Sequence, residues 1–513
     1  CCNLLGLVPK TVDNKGARTS CDGVNWGTID KMQRDIFVGL NPEQRRAVEA
    51  TEGPLLIQAG AGSGKTKTLT HRIAYLIDTR RATPYSILAV TFTNKAAREM
   101  RERVAELLGE SADNRGFMPY IGTFHSICVR LLRMDGEHIG IPRDYVIYDE
   151  ADRQAAIKRI LKEHHIDEKA FPVRVIASVI SSAKNELITP QEFAETANSP
   201  TAQVAADVYP RYQQSLHEAK ALDFDDLIAR TVELLSTIKE IREKWQRQFT
   251  HVMIDEYQDT NAAQYKLIKL LVGSHQNLAV VGDDWQSIYS WRGADFRNIL
   301  RFEQDYPNCT VIKLEQNYRS TAHILNAAHG VITRNQQRSE KRLWTDAGDG
   351  RLVQVRQVMT ERAEAEAIIR AVHMGVEAGV RRYKDFAVLY RTNAQSRVVE
   401  DTFMRYGVPY RVVGGLRFYD RAEIKDIMAY LRLIYQPDDR ASFERIVNVP
   451  TRGIGARSLQ NFFGWAAAKK LSLSEALEQA EDCDSLSGKA RTGMLSLTRT
   501  LRDFRAQAET LLP

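Results

Sequence analysis

The chain has no apolar run approaching the roughly 18 residues that a helix needs to cross a bilayer, which excludes a helical membrane protein. Cysteine is sparse. The six in 513 residues are Cys1, Cys2 and Cys21 near the start and the scattered Cys128, Cys309 and Cys483, with no C-x-x-C spacing. That spacing excludes a disulfide framework and a thiolate metal site, so the six read as reduced thiols of a cytoplasmic protein. With 30 Gly and 15 Pro, the sequence is too poor in both for a collagen-like or low-complexity chain. Charge of one sign is also lacking. The balance of 71 basic and 65 acidic residues leaves +6, which permits a polyanionic partner without requiring one. What remains is globular: 43% hydrophobic, 27% charged, and long enough for about three to four domains.

Residues 1–36 lack the basic start, apolar core and small-residue cleavage site of a signal peptide, and read as a disordered or non-native leader with Met32 as the native start. Order begins at Leu40-Asn41-Pro42-Glu43-Gln44, a helix start with Asn41 as cap. Strands are expected at Pro54–Gln58 and Ile87–Phe92, each followed by a helix, the alternation of a doubly wound parallel α/β sheet. From Thr123 to Lys220 the apolar spacing turns helical, which predicts an all-helical insertion. Strands return at His251–Asp255, Leu278–Gly282 and Thr310–Leu314, so two pieces make one domain. A second α/β unit is expected to carry strands at Arg351–Val358 and Asp385–Tyr390, and helices resume after Gly414-Gly415.

Residues Ala59-Gly60-Ala61-Gly62-Ser63-Gly64-Lys65-Thr66 follow the first strand and open a helix, the setting of a phosphate-binding loop. Glycines at 60, 62 and 64 let backbone N–H groups turn onto phosphate oxygens, aided by the helix N-terminus. Lys65 would reach the β and γ phosphates, and the Thr66 hydroxyl would serve Mg²⁺. Ala59 stands where the pattern has its first glycine. A plain Gly-Ser turn would need strand, glycines, Lys and Thr to coincide by chance. The partner motif is Val252-Met253-Ile254-Asp255-Glu256, an apolar strand ending in two acids. Asp255 fits the second metal contact and Glu256 the base that activates water. Together the two motifs predict a P-loop nucleoside triphosphatase that uses Mg²⁺.

From about residue 38 to 460 the ordered blocks LNPEQ, AGAGSGKT, TFTNKAA, GTFHS, DFDDLI, IDEYQDTN, GDDWQSIYSWRGA, LEQNYRS, LYRTNAQSR and NVPTRGIG resemble those of the UvrD, Rep and PcrA group of superfamily-one DNA helicases. The resemblance implies an α/β fold of two RecA-like motor domains with helical insertions, ATP between them and single-stranded DNA across the top. It implies a first motor domain at 37–120 and 221–312, a helical insertion at 121–220, the first part of a second motor domain at 313–413, and an incomplete duplex-binding insertion at 414–513. It implies that Gln44 reads adenine, Tyr318 stacks on it, Gln286 senses the γ phosphate and Arg319 acts as an arginine finger. By residue chemistry alone, Arg319 is a cation at a helix start, where the dipole disfavours it unless an anion is near.

Phe92, Phe224, Tyr289 and Trp291 match the family's base-stacking positions, Arg292 would pair with acids or phosphate, and Phe124 and His125 lie in a DNA-facing motif where packing is the alternative. Arg417, Arg421, Lys425 and the turn Thr451-Arg452-Gly453-Ile454-Gly455 look like a duplex grip, with a solvated loop as the alternative. Expected partners are single-stranded DNA and single/double-strand junctions, with a monomer or weak self-association. Two residues depart from relatives: Trp285, often acidic there, and Lys67, an Arg in some, which would stack less well on the base. The family's last two motifs do not occur before Pro513. The resemblance therefore implies an N-terminal portion of a 3′-to-5′ helicase of repair or replication restart, binding ATP and DNA but turning over poorly. A non-catalytic ATP- and DNA-binding module and the helicase part of a helicase-nuclease are the alternatives.

Overall fold

Runs of three to five residues, most of them buried from end to end, build one parallel sheet in the computed structural model, which describes residues 35–111, 116–413 and 422–511. Its strands are β1 (Leu55–Ala59), β2 (Ile87–Thr91), β3 (Ile121–Thr123), β6 (His251–Ile254), β7 (Leu278–Gly282) and β8 (Thr310–Leu314); β4 (Val146–Tyr148) and β5 (Ala221–Asp223) form a separate parallel pair. The order across the large sheet is β3-β2-β6-β7-β1-β8. In β1, Leu56 stands beside Val280 and Val311. Side chains alternate between faces. Leu56, Val90, Ile254 and Val280 enter one core and Leu55, Ile57, Ala89, Met253 and Val281 the other, which is why the strands read as continuous apolar runs. Every strand ends toward the same edge, where ligands of such sheets bind. The β1–Gly-rich loop, the acids after β6, Asp283 after β7 and Asn317 after β8 all gather there.

The insertion is not all-helical as expected. It holds β4, paired Val146 to Ala221 with β5, and the large sheet gains β3 just past residue 120. Three-residue strands carry too short a pattern to read from spacing. β3 and β5 run straight into helices, where Thr123 caps Phe124–Asp135 and Asp223 caps Phe224–Thr237, each closing a capping box. The insertion is fastened to the segment that follows it by Lys184, whose Nζ lies 2.8 Å from both Asp223 Oδ2 and Asp226 Oδ1, with the Tyr212 hydroxyl donating to Asp223 at 2.9 Å.

The second expected sheet is where the structure departs furthest. Arg351–Val358 and Asp385–Tyr390 form no strands, and Val355 and Leu389 are 95% and 89% exposed. A parallel strand needs hydrogen-bonded neighbours and a cover on each face. Here helices Glu361–Glu377 and Ser396–Arg405 pack through Ile369, Val372 and Phe403, but no described segment lies alongside as a strand. The only strand-like link in this half among the described residues is a single bridge from Gln316 to Trp344. After residue 421 the chain is helical as expected, around Leu433, Phe443, Phe462 and Met494. It contacts the insertion through Lys425–Asp149 at 3.1 Å, Arg440–Glu163 at 3.1 Å and a 2.8 Å bond from the Tyr148 hydroxyl to Asp439. Among the described residues no helix is long and apolar enough to cross a membrane.

Candidate nucleotide and nucleic-acid site

The loop after β1 enters helix Lys65–Asp78 through Gly62 (φ +65°) and Gly64 (φ +83°). Both need glycine twice over. The left-handed backbone disfavours a side chain, and a Cβ on Gly64 would stand 2.7 Å from Gln44 Nε2 while one on Gly62 would stand 2.6 Å from Arg319 Cβ. At the helix start Lys65 Nζ donates to Glu256 Oε2 at 2.8 Å, and the Thr66 hydroxyl donates to Asp255 Oδ2 at 2.9 Å. Glu256 follows the strand with φ +53°, an unusual conformation for a residue with a side chain and one that is held by its neighbours. Gln258 Nε2 donates to the same Glu256 oxygen at 3.0 Å, and its Oε1 accepts from the Asp283 N–H at 2.9 Å.

Burial, and next the charge on Glu256, push the Asp255 carboxyl up to about 6, and the same causes act on Asp259. The ordinary value is 3.8, so between the two the folded chain keeps protons that the unfolded chain has released. Without divalent cation, stability is therefore expected to fall as pH rises from about 4 to about 6. Thermal midpoints of an Asp255→Asn chain over that range should show a shallower slope, and an unchanged slope would count against this origin. As ligands, one hydroxyl and one buried carboxylate suit a hard cation that takes its other oxygens from phosphates and water. Among the described residues there is no group of three or more His, Cys, Asp or Glu that would cage a metal without them.

The chain after β8 closes onto this loop. The Tyr318 N–H donates to Gly62 O at 3.0 Å, Asn317 Nδ2 bonds Ala61 O, and Leu343 lies against Gly60. Gln44 is buried and occupied by the fold itself, its Nε2 donating to Ser63 O at 2.8 Å and its Oε1 accepting from Asn41 N–H at 3.0 Å. The exposed Tyr318 exchanges hydroxyl bonds with Asn41 Nδ2 at 2.9 Å and Gln316 Oε1 at 2.8 Å. Lys67 Nζ donates to Gly39 O at 2.5 Å, and Arg319 is exposed beside Gly62. Gln286 bonds Asp283 Oδ2 through its side-chain amide. Trp285 packs: its Nε1 donates to Ser339 O at 3.2 Å and Lys341 Nζ lies 4.8 Å over its ring.

On the neighbouring surface Phe224 is 49% and Trp291 64% exposed, with Tyr289 6.4 Å from Trp291 and tilted to it. Phe224 meets His125 edge-on at 5.8 Å. Phe124 is corrected. It is 3% exposed in the main core, 5.5 Å edge-on from the half-buried Phe92, and cannot offer a face to a base without leaving that core. The Arg292 side chain lies outside the described residues, as do Gly414, Gly415, Arg417 and Arg421. Lys425 is paired with Asp149, and Arg452 donates to the carbonyls of Ile446 and Val449 at 3.0 and 3.1 Å.

Residues 40–307 match the model of the UvrD/REP helicase N-terminal domain, and residues 312–485 that of the UvrD-like helicase C-terminal domain. The chain belongs to the UvrD/REP helicase family. It is 51% identical over 476 residues to a protein of Bacillus subtilis strain 168 named ATP-dependent DNA helicase PcrA, which covers 93% of this chain and 64% of that one. Proteins of the same name in Staphylococcus aureus strain NCTC 8325 and Staphylococcus epidermidis strain ATCC 35984 are 51% and 49% identical, with 86% and 93% of this chain matched. The chain thus spans 60–64% of the length of these relatives.

Three residues at the nucleotide edge of this UvrD/REP chain escape sequence reasoning. Gln258 stands in the IDEYQDTN block, so its position was visible while its link from Glu256 to Asp283 was not. Lys341, with Nζ 2.6 Å from Asp283 Oδ1 and 2.8 Å from Asp284 Oδ1, comes from a stretch with no pattern at all. Asn317, inside LEQNYRS, orients the Arg319 and Ser320 N–H groups at 2.8 and 2.7 Å.

Proposed function

We propose that the protein is an ATP-dependent DNA helicase that couples ATP hydrolysis to 3′-to-5′ movement on single-stranded DNA, in repair or replication restart. The observation that carries the reading is the double pairing Lys65–Glu256 and Thr66–Asp255 beneath the glycine loop, on the strand edge shared with the exposed Trp291. ATP enters with its phosphates on the loop N–H groups. Lys65 moves from Glu256 to the β and γ phosphates, which frees Glu256 to take a proton from the attacking water while Gln258 holds the carboxylate in place. The water oxygen bonds to the γ phosphorus, the bond to the bridging oxygen breaks, and ADP departs. Bound Mg²⁺, held by Thr66 and Asp255, would supply charge neutralisation on the phosphates. Arg319 stands beside Gly62 to meet charge on the leaving phosphoryl group, and Tyr318 and Gln44 flank the base end. Gln286, bonded to Asp283, takes the part of γ-phosphate sensor. In domain terms, 37–120 with 221–312 is the first motor domain, 121–220 its insertion, 313–413 the start of the second motor domain and 414–513 a duplex-binding insertion.

Trp291 and Phe224 offer faces to successive bases of a strand whose junction with duplex is the substrate. A Trp291→Ala chain is expected to lose about 1–3 kcal/mol of oligo-dT affinity. Fluorescence anisotropy with a labelled oligonucleotide, alongside phosphate release with and without DNA, tests this. Unchanged affinity would remove the DNA-tracking role. A second reading, a module that grips ATP and DNA without turnover, draws on Asn317 and Leu343 lying on the loop that phosphates must enter. DNA binding with no DNA-stimulated phosphate release would favour it.

A further inference from the structure

The two aromatic surfaces lie on different parts of the chain, Phe224 at the start of the helix after β5 and Trp291 in a turn after β7, and one side chain joins them. Asn185, in helix Val173–Asn185, accepts from Asn261 Nδ2 at 2.6 Å. Its own amide donates to Ser181 O at 2.9 Å and to Asp225 Oδ1 at 3.3 Å, acceptors that fix which way the amide points. Asp225, next to Phe224, is held in turn by the Ser181 hydroxyl at 2.6 Å and by Arg153 at 3.1 Å. On the other side Asn261 is buried, caps helix Ala262–Leu271 and follows Thr260. Thr260 O accepts from the Asp295 N–H at 3.0 Å and from Asn298 Nδ2 at 3.0 Å. Gly293 closes the Ser290–Arg292 turn with φ +79°, directly over the pair: a Cβ there would stand 3.8 Å from Asn261 Cβ and 3.9 Å from Asn185 Cβ. The Asn185–Asn261 bond is thus the floor of the turn that carries Trp291 and, through Asp225, the tether of Phe224.

We propose that Asn185 is a positioning residue for single-stranded DNA, holding the Phe224 and Trp291 faces at the separation that successive bases require. This rests on the DNA-tracking reading above. The hydrogen bonds of Asn185 run to Asn261, Ser181 and Asp225, so its removal should act through the aromatic turn. The test is a double-mutant cycle on the full chain with labelled oligo-dT, using Asn185→Ala, Trp291→Ala and both together, with fluorescent-nucleotide affinity and thermal midpoint as controls.

Asn185→Ala is expected to weaken DNA binding about three- to tenfold, the scale of one lost hydrogen bond, with nucleotide affinity retained. In the Trp291→Ala background the same change should cost clearly less, because one of the two faces that it positions is already gone and only Phe224 remains to be misplaced. Asn185→Asp, which keeps an acceptor for Asn261 but sets a carboxylate against Ser181 O and Asp225 Oδ1, should bind no better than the alanine. Wild-type affinity in Asn185→Ala while Trp291→Ala is impaired overturns the proposal and leaves the DNA reading standing. Losses that simply add in the double variant overturn it as well, since a general loosening of the fold would produce them. Unimpaired binding by Trp291→Ala points instead at the DNA reading itself.

Discussion

A Glu256→Gln chain is expected to bind nucleotide normally but to release phosphate about 10²–10⁴-fold more slowly, the usual contribution of a positioned general base. The substitution keeps the size of the side chain and leaves a carbonyl oxygen for Lys65 Nζ and Gln258 Nε2, which reach Glu256 Oε2 at 2.8 and 3.0 Å. It removes only the capacity to take a proton. Glu256 is also the acid with a left-handed backbone, and its carboxylate is held by Lys65 and Gln258. Fluorescent-nucleotide titration and single-turnover phosphate release separate binding from chemistry. Turnover close to wild type would show that another group activates the water.

The second large effect concerns the insertion. Lys184→Met is expected to lower stability by about 3–5 kcal/mol, because it leaves Asp223 and Asp226 buried without their cation. Burial, followed by the charge on Asp223, already raises Asp226 to about 6 with Lys184 present. Without the lysine, acid pH should recover part of the loss as a carboxyl takes up a proton, and the deficit should grow as pH rises. The same two acids form the capping box of helix Phe224–Thr237, with Asp226 N–H donating to Asp223 Oδ1 at 2.8 Å, so the damage reaches Phe224. Urea midpoints beside Arg45→Ala, which opens an exposed pair worth at most about 1 kcal/mol, set the scale. A Lys184→Met loss no larger than that of Arg45→Ala would mean that the acids find other partners.

Much of the site was legible because its chemistry is local. The glycine loop, Lys65 and Thr66 sit within eight residues, and Asp255 and Glu256 end an apolar run, so strand, loop and helix could be read from neighbours alone. The aromatic positions were legible only as candidates. A phenylalanine in a motif is equally at home in a core, and burial separated Phe124, which packs, from Phe224, which does not. The strands expected at Arg351–Val358 and Asp385–Tyr390 show the opposite failure. Their composition suits a strand, but a strand exists only when another lies beside it, and none of the described segments does so.

Short-range order was therefore settled by residue type: the caps at Asn41, Thr123 and Asp223, the left-handed glycines at 62 and 64, and the alternation of faces in β1, β2 and β6. Long-range pairings were not. Lys65 meets Glu256 across 191 residues and Asn41 meets Tyr318 across 277, while Lys341 finds Asp283 and Asn185 finds Asn261 from stretches that carry no signal of their own. Such contacts depend on how the parallel strands are ordered. Strand order follows from the packing of whole helices and sheet faces rather than from any residue's neighbours along the chain.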